Sequence, residues 1–163
     1  MARRVFFSFH FDNDFWRTQQ VRNMGALEGN APVSANAWEE VKAKGNAAIE
    51  RWIEDNMHGK SCVVVLVGSQ TASRPWVIHE IAKGWNDGKG VLAVRIDKLL
   101  DKDGRSSSAG SNPLGKVKHG TGTLADVAPI KTPAGADSKS AYASIADNIE
   151  AWIEEAIKIR NKA

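Results

Sequence analysis

The sequence has one cysteine, no apolar run long enough to cross a membrane and no block of lysine and arginine. Cys62 lies in an apolar segment with no second cysteine to pair with, which predicts a protein of a reducing compartment. The apolar stretch after the first four residues is too short for a signal peptide. Without a basic block, the net charge of +3 gives little support for nucleic-acid binding. We therefore expect a cytoplasmic protein with neither a nucleic-acid nor a membrane partner.

The composition is that of a globular protein, with 42% hydrophobic and 25% charged residues. At 163 residues, the chain is long enough to bury one core, so we expect residues 1–163 to form a single domain. Six tryptophans stand against one tyrosine, which suggests more aromatic surface than packing alone requires.

Residues 62–85 are the most informative stretch. Residues 62–68 are continuously apolar and rich in valine, which is typical of a strand buried on both faces. A polar loop follows at residues 69–74. A helix should then begin near Ser73 or Arg74, with Pro75 in its first turn, where the missing N–H of proline costs nothing.

This helix presents two different faces. Its spacing gives one apolar face, formed by Ile78, Ile81 and Trp85. The other side carries Trp76, Glu80 and Lys83. Because most helical glutamates are solvated, the helix alone favours a solvated Glu80. Its position favours a binding site instead, because ligands of open α/β sheets bind beyond the C-terminal ends of the strands.

The rest of the chain alternates strands with helices. We predict strands at residues 5–9 and 91–96, and short strands near 31–34 and 127–130. Helices are expected at residues 15–24, 38–57 with a break at Gly45, and 141–160. The last helix should bury Tyr142, Ile145, Ile149, Trp152, Ile153 and Ala156. The alternation predicts an α/β doubly wound fold, with a mostly parallel central sheet in a three-layer, flavodoxin-like architecture and a long irregular segment at 97–139.

Several familiar motifs are weak here. Residues 110–116 imitate the opening of a phosphate-binding P-loop, but Val117 replaces the Ser or Thr that binds magnesium, so a flexible loop is favoured. The four histidines are scattered and do not predict a metal site. Asp12 and Asp14 resemble the acidic pair of phospho-receiver domains, but Gly68 and Ser69 stand where the phosphoacceptor would be. We assign both aspartates to capping the next helix.

Two stretches resemble TIR domains. Residues 5–10 resemble the first TIR strand, which ends in Ser-Phe, and residues 69–81 resemble the segment with a serine, a tryptophan and, four residues later, a glutamate. The opening and residues 112–115 are similar to the TIR-like proteins of the bacterial Thoeris anti-phage system. The resemblance covers residues 3–115. The chain departs from it at His10 and Phe11, where many TIR domains carry Arg-Gly, and in its long segment before the last helix.

The resemblance implies an enzyme that cleaves NAD+ at the nicotinamide–ribose bond and makes a cyclic ADP-ribose-type signal. Glu80 is then the catalytic residue, and NAD+ is the substrate, so no separate cofactor is expected. The expected substrate-binding residues are Phe9, His10, Asp12, Ser69, Ser73 and Trp76. Self-association or a phage-derived trigger is the expected control, and a separate effector protein would read the signal.

Two alternatives stay open. The same fold serves as a non-enzymatic interaction module, which the surplus of tryptophans and the 97–139 segment favour. A nucleoside deoxyribosyltransferase-like enzyme also places a glutamate in a related α/β fold, and it would exchange bases between deoxynucleosides.

Overall fold

The computed structural model describes residues 3–24, 28–29 and 40–163. Its strands are β1 (Arg4–Ser8), β2 (Glu28–Gly29), β3 (Cys62–Val67), β4 (Gly90–Arg95), β5 (Lys118–His119), β6 (Gly122–Thr123) and β7 (Ile130–Lys131). In these ranges, five parallel strands form the central sheet in the order β2-β1-β3-β4-β7. The short strands β5 and β6 pair separately as an antiparallel hairpin. This is the flavodoxin-like strand order, so the α/β doubly wound prediction is confirmed.

Four α-helices lie wholly within the described ranges. They are α1 (Phe11–Arg22), α2 (Asn46–Met57), α3 (Pro75–Asn86) and α4 (Ser138–Lys162). Helices α1 and α4 contribute to the core on one face of the sheet, and α2 and α3 contribute to the core on the other face. Because both faces are covered, all six residues of β3 are buried, which explains its continuous apolar sequence.

The sequence predicted several helix boundaries correctly. Gly45 has a φ of +94° and separates helical residues 40–43 from α2, as expected of a glycine that interrupts a helical pattern. Arg74 is the N-cap of α3 and Pro75 is its first residue. The strand expected near residues 31–34 lies outside the described residues.

The capping role assigned to the two aspartates is wrong. Helix α1 begins at Phe11, four residues before the predicted start, with His10 as its N-cap. The amide of Asp14 already donates to the carbonyl of His10 at 2.9 Å, so Asp14 lies inside the helix. Its carboxylate forms an ion pair with Arg17 instead, at 2.8 Å. Asp12 lies in the first turn of the same helix.

Residues 97–139 contain short elements rather than a bare loop. Pro113–Lys116 and Leu124–Asp126 are 3-10 turns, and the hairpin lies between them. A P-loop would begin a long helix where the first of these turns lies. The short edge strand predicted near residues 127–130 is displaced toward the C-terminus, where β7 (Ile130–Lys131) pairs with Ala93 and Val94 of β4.

The last helix is longer than the pattern predicted. It begins at Ser138, after Asp137 accepts a hydrogen bond from the amide of Ser140 at 2.8 Å. Its buried residues are Ala141, Ile145, Ile149, Ile153 and Ala156. Tyr142 is 39% exposed, so its assignment to the buried face is wrong. Every helix of the described part of the chain is too short or too polar to span a bilayer.

Candidate active site

A buried carboxyl and a buried hydroxyl meet at the C-terminal edge of the sheet. Glu80 of α3 is 7% exposed, and Ser8, the last residue of β1, is 1% exposed. Ser8 Oγ donates a hydrogen bond to Glu80 Oε1 at 2.6 Å. The distance lies within the ordinary range of an O–H···O hydrogen bond. The order of the strands reverses between β1 and β3, because β2 lies on one side of this pair and β4 on the other. Ligands of open α/β sheets bind at such a switch point.

The alternation of β1 directs Ser8 toward α3. Phe6, two residues earlier, packs in the core that α2 and α3 cover, and side chains two apart along a strand share a face. Ser8 also lies beside Val65 of β3, which belongs to the same core. The hydroxyl therefore points into an apolar layer, where Glu80 is its hydrogen-bond partner.

Helix α3 buries a different stripe from the predicted one. The buried residues are Val77, Glu80, Ile81, Gly84 and Trp85, spaced at i, i+3, i+4, i+7 and i+8. A side chain at Gly84 would overlap the Val63 side chain, so the glycine lets this stripe approach β3 closely. The assignment of Glu80 to the side away from the core, and the solvated role that it favoured, are wrong.

Burial changes the acid–base behaviour of Glu80. Desolvation raises the pKa of Glu80 to about 8, and the hydrogen bond from Ser8 lowers it by a smaller amount. Burial disfavours the charged form because the low-dielectric interior solvates it poorly. Perturbed carboxyls of this kind are typical of functional sites.

The predicted site residues of the loop and of α3 surround the start of that helix. Trp76 is half-buried against the α3 core, with its ring 5.3 Å from that of His79 in an edge-on arrangement. Ser73 is exposed, and its hydroxyl donates to the carbonyl of Gln70 at 2.9 Å. Ser69 is half-buried at the end of β3.

The predicted residues that follow β1 lie differently. Phe9 packs against the core on the α4 face, opposite Glu80, and stacks on Phe11 with ring centroids 6.0 Å apart. His10 is buried, at 8% exposure. The side chain of Asp12 lies outside the part of the chain that the structure describes. The substrate-binding roles of all six residues stay predictions.

Comparison with known proteins identifies the family. A sequence model described as "Thoeris protein ThsB, TIR-like domain" matches residues 6–101, more than half of the chain. The chain belongs to this family. The match contains both Ser8 and Glu80, so the TIR resemblance of the two stretches is confirmed.

A curated relative extends this comparison. Over 120 residues, the chain is 38% identical to a protein of Bacillus cereus (strain MSX-D12) named "Putative cyclic ADP-D-ribose synthase ThsB1". The similar region covers 70% of this chain and 62% of the relative. The chain thus spans less than two thirds of the length of that relative.

A second polar cluster lies beside the site of this TIR-like domain. Asn13 Nδ2 donates to Ser69 Oγ at 3.4 Å and to Asp14 Oδ1 at 3.2 Å. Asp14 is fully buried, and Arg17 is 2% exposed. Burial raises the pKa of Asp14, against the lowering effects of Arg17, Asn13 and His10. This cluster connects a predicted substrate-binding serine to helix α1.

Sequence reasoning missed Ser8 and Arg17. Ser8 is the one polar residue of an otherwise apolar stretch between Val5 and Phe9, and such a residue in a buried strand needs a hydrogen-bond partner. That requirement was the available signal for Ser8. Arg17 stands three residues after Asp14, which is the spacing of a helical ion pair. The pair was missed because the predicted helix began at residue 15, after Asp14.

Proposed function

We propose that this protein is an NAD+-consuming TIR-like enzyme that cleaves the nicotinamide–ribose bond and releases a cyclic ADP-ribose-type signal in anti-phage defence. The observation that carries the proposal is the buried carboxyl of Glu80, hydrogen-bonded to Ser8 at 2.6 Å at the C-terminal edge of the sheet. Membership of the Thoeris TIR-like family supports it, and so does the name of the Bacillus relative.

The reaction requires a negative charge beside the ribose. As the bond between the nicotinamide nitrogen and the anomeric carbon breaks, its electron pair moves to the pyridinium ring and nicotinamide leaves neutral. The ribose carbon gains oxocarbenium character, as in glycoside cleavage. A carboxylate aimed at that carbon stabilises the developing charge. Because the leaving group needs no proton, one carboxylate suffices where glycosidases use two.

The environment of Glu80 suits this role. In the unliganded protein, a pKa of about 8 keeps much of the carboxyl protonated at neutral pH. The positively charged nicotinamide ring would favour the carboxylate form when it arrives, since an opposite charge nearby lowers the pKa of an acid. Substrate binding and activation of the carboxylate are thereby coupled.

The product depends on which nucleophile reaches the anomeric carbon. Attack by water would release linear ADP-ribose. Attack by a nitrogen or hydroxyl group of the same molecule, with loss of a proton where the group is a hydroxyl, would close a ring. We favour the cyclic product, and we expect a separate effector protein to read it. We also expect self-association or a phage-derived trigger to control turnover, because unchecked NAD+ consumption harms the host.

The test is product analysis from NAD+ by chromatography, with wild type and Glu80→Gln compared as purified proteins and in lysates of phage-infected cells. We expect nicotinamide release that requires Glu80, with a product that differs from linear ADP-ribose. Folded wild-type protein that releases no nicotinamide in either sample would contradict the proposal and favour an interaction module. Exchange of bases between deoxynucleosides would instead indicate a deoxyribosyltransferase.

A further inference from the structure

Arg17 joins helix α1 to a loop that follows β4. Its Nε donates to the carbonyl of Leu99 at 2.7 Å, and its Nη2 donates to the carbonyl of Arg105 at 2.8 Å. Its Nη1 donates to Asp14 Oδ1 at 2.8 Å. One buried guanidinium thus fixes two points of residues 99–110, which we call the strap.

The strap crosses the C-terminal end of β3. A side chain at Gly110 would overlap the carbonyl oxygen of Gly68, so the two backbones are in direct contact there. Arg95, at the end of β4, donates from Nη1 to the carbonyl of Gly110 at 2.7 Å. Both ends of the strap are therefore anchored, one by Arg17 and the other by Arg95 and the glycine contact.

The cluster that holds the strap also holds the end of β3. The buried carboxylate of Asp14 lies so close to Gly68 that a side chain at Gly68 would overlap it. Asn13 bridges Asp14 to the hydroxyl of Ser69. A shift of Arg17 would consequently move the strap and Ser69 together.

The strap crosses close to the reacting residues. Ser8 pairs with Val65, and Gly68 lies three residues further along the chain, one residue past the end of β3. At 3.3 Å per residue, the crossing is about 10 Å beyond the Ser8 position along the strand direction. If the scissile bond lies at Glu80, the diphosphate and second nucleoside of the dinucleotide must extend away from that residue, and a chain segment about 10 Å away lies within their reach.

We propose that Arg17 and Gly110 are positioning residues that hold residues 99–110 as one wall of the dinucleotide site. This inference rests on the proposed function. The wall sets how tightly the part of the substrate remote from the scissile bond is held, while Glu80 acts on the bond itself. Displacing the wall should weaken NAD+ binding and leave the chemical step largely intact.

A glycine just beyond the strap provides a matched control. Gly110→Ala forces the strap away from Gly68, while a side chain at Gly115, five residues later, would meet nothing within 4 Å. Arg17→Lys keeps the charge beside Asp14 but loses the planar fork that reaches two carbonyls. NAD+ binding is measured by calorimetry in the Glu80→Gln background, which needs no turnover, and hydrogen exchange reports on the strap.

We expect Gly110→Ala and Arg17→Lys to weaken NAD+ binding about tenfold, and to raise KM by a similar factor with little change in kcat. The Ser107 amide, which donates to Asp97 O at 2.8 Å, should exchange faster in both variants. Gly115→Ala should match its parent. A variant with a merely structural effect would lose thermal stability and would not show a raised KM with an unchanged kcat.

The outcomes also separate this inference from the proposed function. Equal NAD+ affinity in the Gly110→Ala and Gly115→Ala variants would overturn the wall and leave the enzyme proposal standing. NAD+ binding that responds to Gly110→Ala, without any nicotinamide release by wild type, would overturn the enzyme proposal alone. Folded wild type that binds no NAD+ would overturn both.

Discussion

Two carboxyls are buried at the C-terminal edge of this sheet, and their partners differ. Asp14 of α1 is fully buried and meets the guanidinium of Arg17 at 2.8 Å. Glu80 of α3 is 7% exposed and meets the hydroxyl of Ser8 at 2.6 Å. Burial raises the pKa of both carboxyls. For Asp14 a cation opposes that effect, whereas for Glu80 the opposing group is an uncharged hydroxyl.

The difference predicts a structural role for Asp14 and, under the proposed function, a reactive role for Glu80. Arg17 gives Asp14 a counter-charge from within the protein, so this pair can fix the geometry of a loop without a ligand. Glu80 keeps a carboxyl whose charge depends on what binds beside it. A cationic substrate would supply the missing partner, which fits a site for the pyridinium of NAD+.

The largest expected effect comes from removing the reactive carboxyl. Glu80→Gln keeps an oxygen that accepts the hydrogen bond from Ser8 but loses the negative charge. Nicotinamide release should fall on the order of 1000-fold, since that is the effect of removing one electrostatic stabiliser of a transition state. The measurement is the initial rate at saturating NAD+, with circular dichroism to verify the fold. Activity within tenfold of wild type would contradict a catalytic Glu80.

The next effect concerns the structural carboxylate. Arg17→Met leaves Asp14 buried without its cation, so we expect a loss of about 3 kcal/mol in the free energy of unfolding, measured by urea denaturation. The double variant Asp14→Asn with Arg17→Met removes both charges and should recover part of that loss. Equal stability of Arg17→Met and wild type would show that the pair contributes little.

A third prediction uses the pH dependence of stability. The pKa of Glu80 is about 8 in the folded protein and 4.5 ordinarily, so the folded state retains a proton that the unfolded state has lost between those values. This contribution to stability is complete below pH 4.5 and declines as the pH rises toward 8. Glu80→Gln lacks it.

Relative to wild type, Glu80→Gln should therefore gain about 2 kcal/mol in unfolding free energy between pH 6 and pH 8. Urea denaturation at the two pH values gives the difference. Glu150→Gln, at an exposed position of α4, serves as the control and should follow wild type. Parallel stability curves for Glu80→Gln and wild type would mean that Glu80 titrates in its ordinary range.

The elements of the fold were predictable from the sequence because they depend on local patterns. The apolar run of β3 and the proline of α3 gave correct positions, and so did the alternation of strands and helices. The side chains that face one another were harder, because they depend on packing between elements. Two apolar stripes of α3 both have helical spacing. One contains Ile78 and the other contains Val77, and both include Ile81 and Trp85. Glu80 lies on the same face as the stripe with Val77.

Gly84 is the residue that would have decided between the two stripes. A glycine inside a helix weakens it, so its presence indicates a close approach to another element. In the structure that approach is to Val63, and it turns Glu80 inward. Ser8 was missed for a related reason. The predicted site residues Phe9 and His10 were chosen because they lie at the end of the strand, without regard to the face on which each side chain lies. Alternation along β1 points Ser8 toward α3, and Phe9 packs on the opposite face.

The last prediction concerns the Ser8 hydroxyl, where we expect a smaller effect than in the variants above. Ser8→Ala removes the hydrogen bond that lowers the pKa of Glu80, so that pKa should rise further. We expect kcat/KM for NAD+ at pH 7 to fall about tenfold, with the rising limb of the pH profile displaced to higher pH. The deficit should narrow at pH 9, where the carboxyl of either protein is more fully ionised.

Thr18→Val is the matched control for the loss of a buried hydroxyl. Thr18 is 4% exposed, and its Oγ1 has no hydrogen-bond partner among the described residues. Its replacement should leave the pH profile unchanged. A Ser8→Ala profile that is lowered equally at every pH would mean that Ser8 orients Glu80 without tuning its charge. A Ser8→Ala profile identical to wild type would remove the hydroxyl from the mechanism, and the cation beside Asp14 would then be what distinguishes that carboxyl from Glu80.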